Sequence, residues 1–232
     1  MSNLFDIKLL PKEVPVMDLS NSSLFPRAIL PLYIFEERYR QMLDEILSGQ
    51  RLFAVADLRN FHNNKSCDIK AKKMHEYKSL IAGIGVVRAC KKNPDGTSNL
   101  ILQGLCRIQI LHISNKLSYP VAKIRTILPE EIKNRQKYNS IKSNLLEHIE
   151  TFIQLNPMLP DEILPFLANL DEPENVLDVA IASLCPSGAL KQSLLETLCV
   201  TKRYEKFLGF LELEKKKILQ NKNNPTEPGN NN

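Results

Sequence analysis

The sequence predicts an α+β protein: a small, closed or partly closed β-barrel with one intercalated helix, followed by a run of helices. Three observations carry this. The hydrophobic period changes once, near residue 130, from alternation to helical spacing. Upstream of that point, short Ile- and Val-rich runs alternate with turn residues. Within them, one segment places Tyr39, Met42, Leu43, Ile46 and Leu47 on a single helical face. The expected organisation is a barrel over residues 1–129, a helical part over 130–220 and a disordered tail over 221–232.

The elements follow in order. A first strand is expected over Glu13 to Leu19, before the polar turn Ser20 to Ser23. Ala28 to Phe35 is an apolar extended segment in which Pro26 and Pro31 belong at an edge or bulge, because proline cannot donate to a ladder. The helix at 36–48 ends at Gly49, a residue suited to a left-handed terminator. Leu52 to Leu58 reads as a strand and residues 59–78 as a long exposed loop. Leu80 to Ala89 is a strand, and Asn93-Pro94-Asp95-Gly96 a strong turn. Leu100 to Gln103 and Leu105 to Ile113 are strands interrupted at Gly104, and Tyr119 to Leu128 alternates as a half-buried strand. The strands are expected to pair antiparallel, with closure hiding the sheet edges.

Downstream, Tyr138, Ile141, Leu145, Ile149, Phe152 and Ile153 mark one long helix that stops at Asn156-Pro157. Pro160 opens a short helix through Leu170. Asp171-x-x-Glu174 resembles a capping box for a helix ending at Cys185-Pro186. Ser187 to Leu198 forms the next helix, and Thr201 is the expected cap of the last. Residues 221–232 carry almost nothing apolar to bury, which is the basis for expecting disorder.

Composition narrows the function classes. A hydrophobic fraction of 43% and a charged fraction of 25% are those of an ordinary soluble domain. The net charge of +5 is spread among short clusters (Lys70, Lys72 and Lys73; Lys91 and Lys92; Lys215 to Lys217), which read as solvated surface rather than a nucleic-acid stripe. Five scattered cysteines without a C-x-x-C argue for a reducing compartment, and with no signal peptide or membrane span expected, the cytoplasm is the predicted location.

No catalytic constellation is legible. A phosphate-binding G-x-x-x-x-G-K-[ST] loop is absent, and Gly83-x-Gly85 lies within a β run. His62, Cys67 and His75 share a polar loop, but their spacing matches no common zinc site and a fourth ligand is missing. His112 and His148 read as structural. Glu36 and Glu37, four and three positions before Arg40, read as surface ion pairs, and no cofactor or metal is expected.

Three blocks resemble the Lon amino-terminal domain family. The first is Phe25 to Leu47; the second holds Gly83, Asp95-Gly96 and Gly104-x-x-Arg107; the third holds Asp178-x-Ala180, Gln192-Ser-Leu-Leu-Glu196 and Arg203. Together they span about residues 13–214. The resemblance implies a PUA-like pseudo-barrel followed by a helical bundle. Departures are also present: Arg27 stands where the family usually has Gly after Phe-Pro, Tyr33 replaces a frequent His, and Glu37 replaces a common Pro. Cys199-Val200-Thr201-Lys202 lacks the usual acidic residue ahead of the Arg.

The resemblance implies a non-catalytic module that binds unfolded or damaged polypeptide, without the ATPase and Ser-Lys protease domains of Lon. An apolar patch near Ile29 to Phe35 and the helix from Glu36 is the expected binding region, with Tyr33 and Phe35 as partly exposed contacts and Arg27 and Arg38 as a polar rim. Alternation assigns most of Ile29, Leu30, Leu32 and Ile34 to the core. The alternative is an adaptor that recruits a folded partner or small ligand, as a related domain does in cereblon. RNA binding is disfavoured, because the aromatics do not lie among the lysines.

Overall fold

A computed structural model describes residues 9–59, 80–128 and 135–223. Among the described residues there are six strands: β1 (Glu13–Asp18), β2 (Ile29–Ile34), β3 (Leu52–Ala56), β4 (Leu80–Lys92), β5 (Ser98–Ser114) and β6 (Val121–Thr126). The helices are α1 (Glu37–Leu47), α2 (Arg135–Leu155), α3 (Ile163–Ala168), α4 (Pro173–Leu184), α5 (Gly188–Glu196) and α6 (Val200–Asn223). The described residues form two compact units, one drawn from 1–129 with 181–196 and the other from 130–180 with 197–232. The segment 181–196, expected with the helical part, therefore groups with the sheet. Its side chains explain why: Gln192 Nε2 donates to the Ile81 carbonyl at 2.9 Å, and the Leu195 carbonyl accepts from Arg107 Nε at 3.0 Å.

The sheet order is β2-β5-β4-β3-β1-β6, and a further β5–β6 pairing closes the last five strands into a ring. This is an α+β pseudo-barrel rather than an even one, since β2 lies outside the ring and β1 is held by short ladders. One expectation is corrected here. β1 and β3 pair parallel, because β2 and α1 intervene as a crossover between them. The expected pair of strands around Gly104 is also one continuous strand, β5, with Leu105 bulged out between Gly104 and Cys106.

Two apolar clusters flank the sheet. One fills the ring around Val16, Ala54, Ile84, Ile108 and Ile110. The other packs Tyr39, Met42, Leu43 and Ile46 of α1 onto Phe53, Val55, Leu100 and Leu102. The apolar stripe read from the sequence is thus the buried face of α1. The Tyr39 hydroxyl accepts from the Asp18 backbone N–H at 3.0 Å, and the Tyr119 hydroxyl donates to Glu45. Burial, with the adjoining Glu45 carboxylate second, pushes the Tyr119 phenol up to about 12.

Three local expectations are revised. Gly49 does not adopt the left-handed conformation; Arg51 does (φ 61), where its N–H bonds the Ile46 carbonyl at 2.9 Å. Glu36 has extended backbone ahead of α1, so it pairs with Arg38 at 2.8 Å, whereas Glu37 and Arg40 pair at 3.2 Å. Thr201 lies inside α6, which begins at Val200.

In the second unit, α2 buries Ile141, Leu145, Ile149 and Phe152, and α6 buries Phe207 and Leu211. Lys142 donates to the carbonyls of Ala168 (3.0 Å) and Leu170 (2.7 Å), satisfying groups left open at the end of α3. The α3 helix starts at Ile163, later than Pro160 suggested. The expected disorder over 221–232 falls mainly on residues outside those described.

Candidate functional site

The residues that carry the sequence motifs build the scaffold. A Cβ on Gly83 would lie 1.9 Å from the Leu24 carbonyl oxygen, and one on Gly104 would lie 2.0 Å from that of Phe25. Leu24 and Phe25 therefore cross the sheet in direct backbone contact with these glycines, a saddle no side chain permits. Arg107 reaches over the Phe25 ring at 5.7 Å while holding α5 through its carbonyl bond. Ser23 Oγ donates to Gln192 Oε1 at 3.0 Å, tying α5 to the same crossing. At the β4–β5 turn, Gly96 takes φ +82 with the Arg40 guanidinium against it.

From this saddle the chain enters β2 through Arg27, whose φ is 65. The left-handed backbone explains why glycine suits this position, and Arg27 holds it at a steric cost. Gly104 N–H donates to the Ala28 carbonyl at 2.9 Å, so even-numbered residues of β2 face β5. Ile29, Pro31 and Tyr33 consequently turn their main-chain groups toward the sheet edge, which no described strand covers. Pro31 sits where its missing N–H leaves no ladder bond unmade.

The same alternation puts the side chains of Ile29, Pro31 and Tyr33 on an open face. Register extends that face across three strands. Tyr33 lies beside Asn99 and Lys91, and Pro31 beside Ile101 and Ala89. Ile29 lies beside Gln103, whose amide oxygen accepts from Arg88 Nε at 2.6 Å. Residues 31–33, 89–91 and 99–101 of these strands line a groove of about 590 Å³. It is the continuation of the ring-lining side of the sheet, left open because β4 and β5 run on past their bulges, where the ring ends.

The structure places the predicted site residues as follows. Tyr33 and Phe35 are 54% and 62% exposed, with ring centroids 6.1 Å apart and planes 26° from parallel. Arg38 is half-buried over the Tyr39 ring at 4.5 Å and ion-paired with Glu36. Arg27 is at the far end of β2, roughly 20 Å along the strand from Tyr33, so it does not share the aromatic end. Of Ile29, Leu30, Leu32 and Ile34, most of which were expected in the core, Ile34 is buried and Ile29 is exposed. Arg88, Ala89, Lys91 and Ile101 are not among the residues the sequence marks as site residues; counting outward from the Asn93–Gly96 turn pairs Lys91 with Asn99 and Ala89 with Ile101, but only the distant β2–β5 register brings these rows against Tyr33 and Pro31. His62, Cys67 and His75 lie outside the described residues, as do Lys70, Lys72 and Lys73. Among the described residues no cluster of three His, Cys, Asp or Glu could hold a metal, and no helix is long and apolar enough to cross a membrane.

This geometry defines a class: an α+β domain on an unevenly closed pseudo-barrel, presenting an open sheet face. The ATP-dependent protease La (LON) substrate-binding domain matches over residues 13–212, and the chain belongs to that family. It is 29% identical over 197 residues to a Lon protease of Desulfosudis oleivorans, covering 85% of this chain and 23% of that protein. To a Lon protease of Dictyoglomus thermophilum it is 25% identical, covering 88% of this chain and 25% of the relative. The chain thus spans about a quarter of the length of these relatives. Its fold is shared by the N-terminal domain of Mycobacterium avium complex Lon protease (TM-score 0.65, 16% identity, 87% of this chain and 98% of that one). It is also shared by a Lon N-terminal domain protein from Xanthomonas campestris (TM-score 0.56, 18% identity, 85% and 97%).

Proposed function

We propose that the protein is a non-catalytic module that binds unfolded or damaged polypeptide on the open face of β2, β4 and β5. The observation that supports this most is the stacked pair Tyr33 and Phe35, both exposed beside an apolar groove on an edge strand. Exposed aromatics next to a partly apolar surface are the usual anchors of a protein interface. An unpaired edge with outward main-chain groups suits an extended chain, whose backbone can pair whatever its sequence. Arg38, beside this end of the strand, serves as rim. Arg27, remote along β2, would touch only a segment that follows the whole strand. The scattered cysteines support a reducing, cytoplasmic setting.

The test is fluorescence anisotropy of a labelled, permanently unfolded polypeptide titrated with the protein, beside its folded form and an RNA oligomer. Selective binding of the unfolded chain, weakened about tenfold by Tyr33→Ala or Phe35→Ala, supports the reading. Preference for the folded form would replace it with an adaptor role, and binding of RNA alone with steep salt dependence would replace it with nucleic-acid recognition.

A further inference from the structure

Resting on that reading, we infer that the open sheet face selects polypeptide segments in which an apolar stretch is flanked by acidic residues. The central row, Pro31, Ile101 and Ala89, carries no charge. A cation stands on each side of it: Lys91 in the Tyr33–Asn99 row and Arg88 against Gln103. Both are exposed, and none of the three rows contains a carboxylate. The neighbouring Lys92, by contrast, is taken up by Asp44, and Arg38 and Arg40 by Glu36 and Glu37. Among the described residues Arg88 bonds only a neutral amide, and Lys91 has no carboxylate partner. The face is therefore apolar in the middle and cationic at both flanks, and the complementary occupant is apolar in the middle and anionic at both flanks. Opposed charges at such a rim favour the right partner, and like charges exclude the wrong one.

Three labelled synthetic peptides test this, each with the same Leu-Val-Phe-Val-Leu core and with Glu, Ser or Lys on both flanks. At low salt the Glu-flanked peptide is expected to bind about tenfold more tightly than the Lys-flanked one, with the Ser-flanked peptide between them. Lys91→Glu and Arg88→Glu, each at an exposed position, are expected to reverse that order. Lys116→Glu, the same charge change outside the three rows, is expected to leave it standing. Equal binding of all three peptides, or an order unmoved by the face variants, overturns charge selection and leaves the polypeptide reading intact. No binding of any peptide overturns both.

Discussion

Arg203 Nε and Asp178 Oδ1 meet at 3.0 Å with both side chains fully buried, linking α6 to α4 within the second unit. Arg203 also donates to Glu174 (2.6 Å) and to the carbonyls of Thr197 (2.6 Å) and Leu198 (3.1 Å). Removing Asp178 takes away the fully buried one of the two carboxylates that balance Arg203 and leaves the partly exposed Glu174 as its remaining charged partner. Asp178→Ala is expected to cost about 3–5 kcal/mol in urea unfolding. The double variant Asp178→Leu with Arg203→Met is expected to cost less than the single one. Glu174→Gln should be milder still, since Glu174 is 20% exposed and water can replace it.

Arg27 holds φ 65 at the entry to β2. A left-handed conformation costs a residue with a Cβ about 1–2 kcal/mol, partly offset by the extra unfolded-state freedom of glycine. Arg27→Gly is therefore expected to stabilise the protein by about 1 kcal/mol. A destabilised variant would show that the Arg27 side chain contributes more to folding than its backbone costs.

Gly104 and Gly209 separate two uses of glycine. A methyl at Gly104 would meet the Phe25 carbonyl oxygen at 2.0 Å, whereas at Gly209 it would meet nothing within 4 Å. Gly104→Ala is expected to lose about 2–3 kcal/mol by forcing the saddle apart. Gly209→Ala, within α6, is expected to gain up to about 1 kcal/mol from helix propensity. Denaturant midpoints of the two variants make the comparison directly.

These positions show how far the sequence could be read. The helical face of α1, the Asn93–Gly96 turn and the one change of period follow from local spacing, so they were legible. The motif residues Gly83, Gly104, Arg107, Gln192, Asp178 and Arg203 were visible as a pattern, but their reason is nonlocal: a backbone crossing, a helix anchor and a buried ion pair. The parallel β1–β3 pairing was not legible, because it depends on where β2 and α1 cross. The exposure of Tyr33 and Phe35 was expected, while the contribution of Arg88, Lys91 and Ile101 depended on a register that joins distant segments.

Asp57 is buried and accepts from Arg59 Nε (2.9 Å) and from the backbone N–H of Asn21 (3.2 Å). The Arg59 hydrogen bond, more than any other contact, holds its carboxyl below the ordinary value. A depressed folded-state value gives stability that is present above the unfolded carboxyl range, about pH 4, and is lost as pH falls through the folded value. Asp57→Asn is thus expected to lower the melting temperature at neutral pH, and the difference from wild type should shrink in acid. A pH-independent gap would assign the loss to packing.

The central claim is that the β2 edge and its open face receive an extended polypeptide. Amide hydrogen exchange, residue by residue, with and without a permanently unfolded chain, tests it most directly. The outward amides of Ile29 and Tyr33 are expected to slow on binding, while Pro31 between them reports nothing and the α2 and α6 amides are unchanged. Protection confined to α2 or α6, with β2 exchanging as before, would contradict the account.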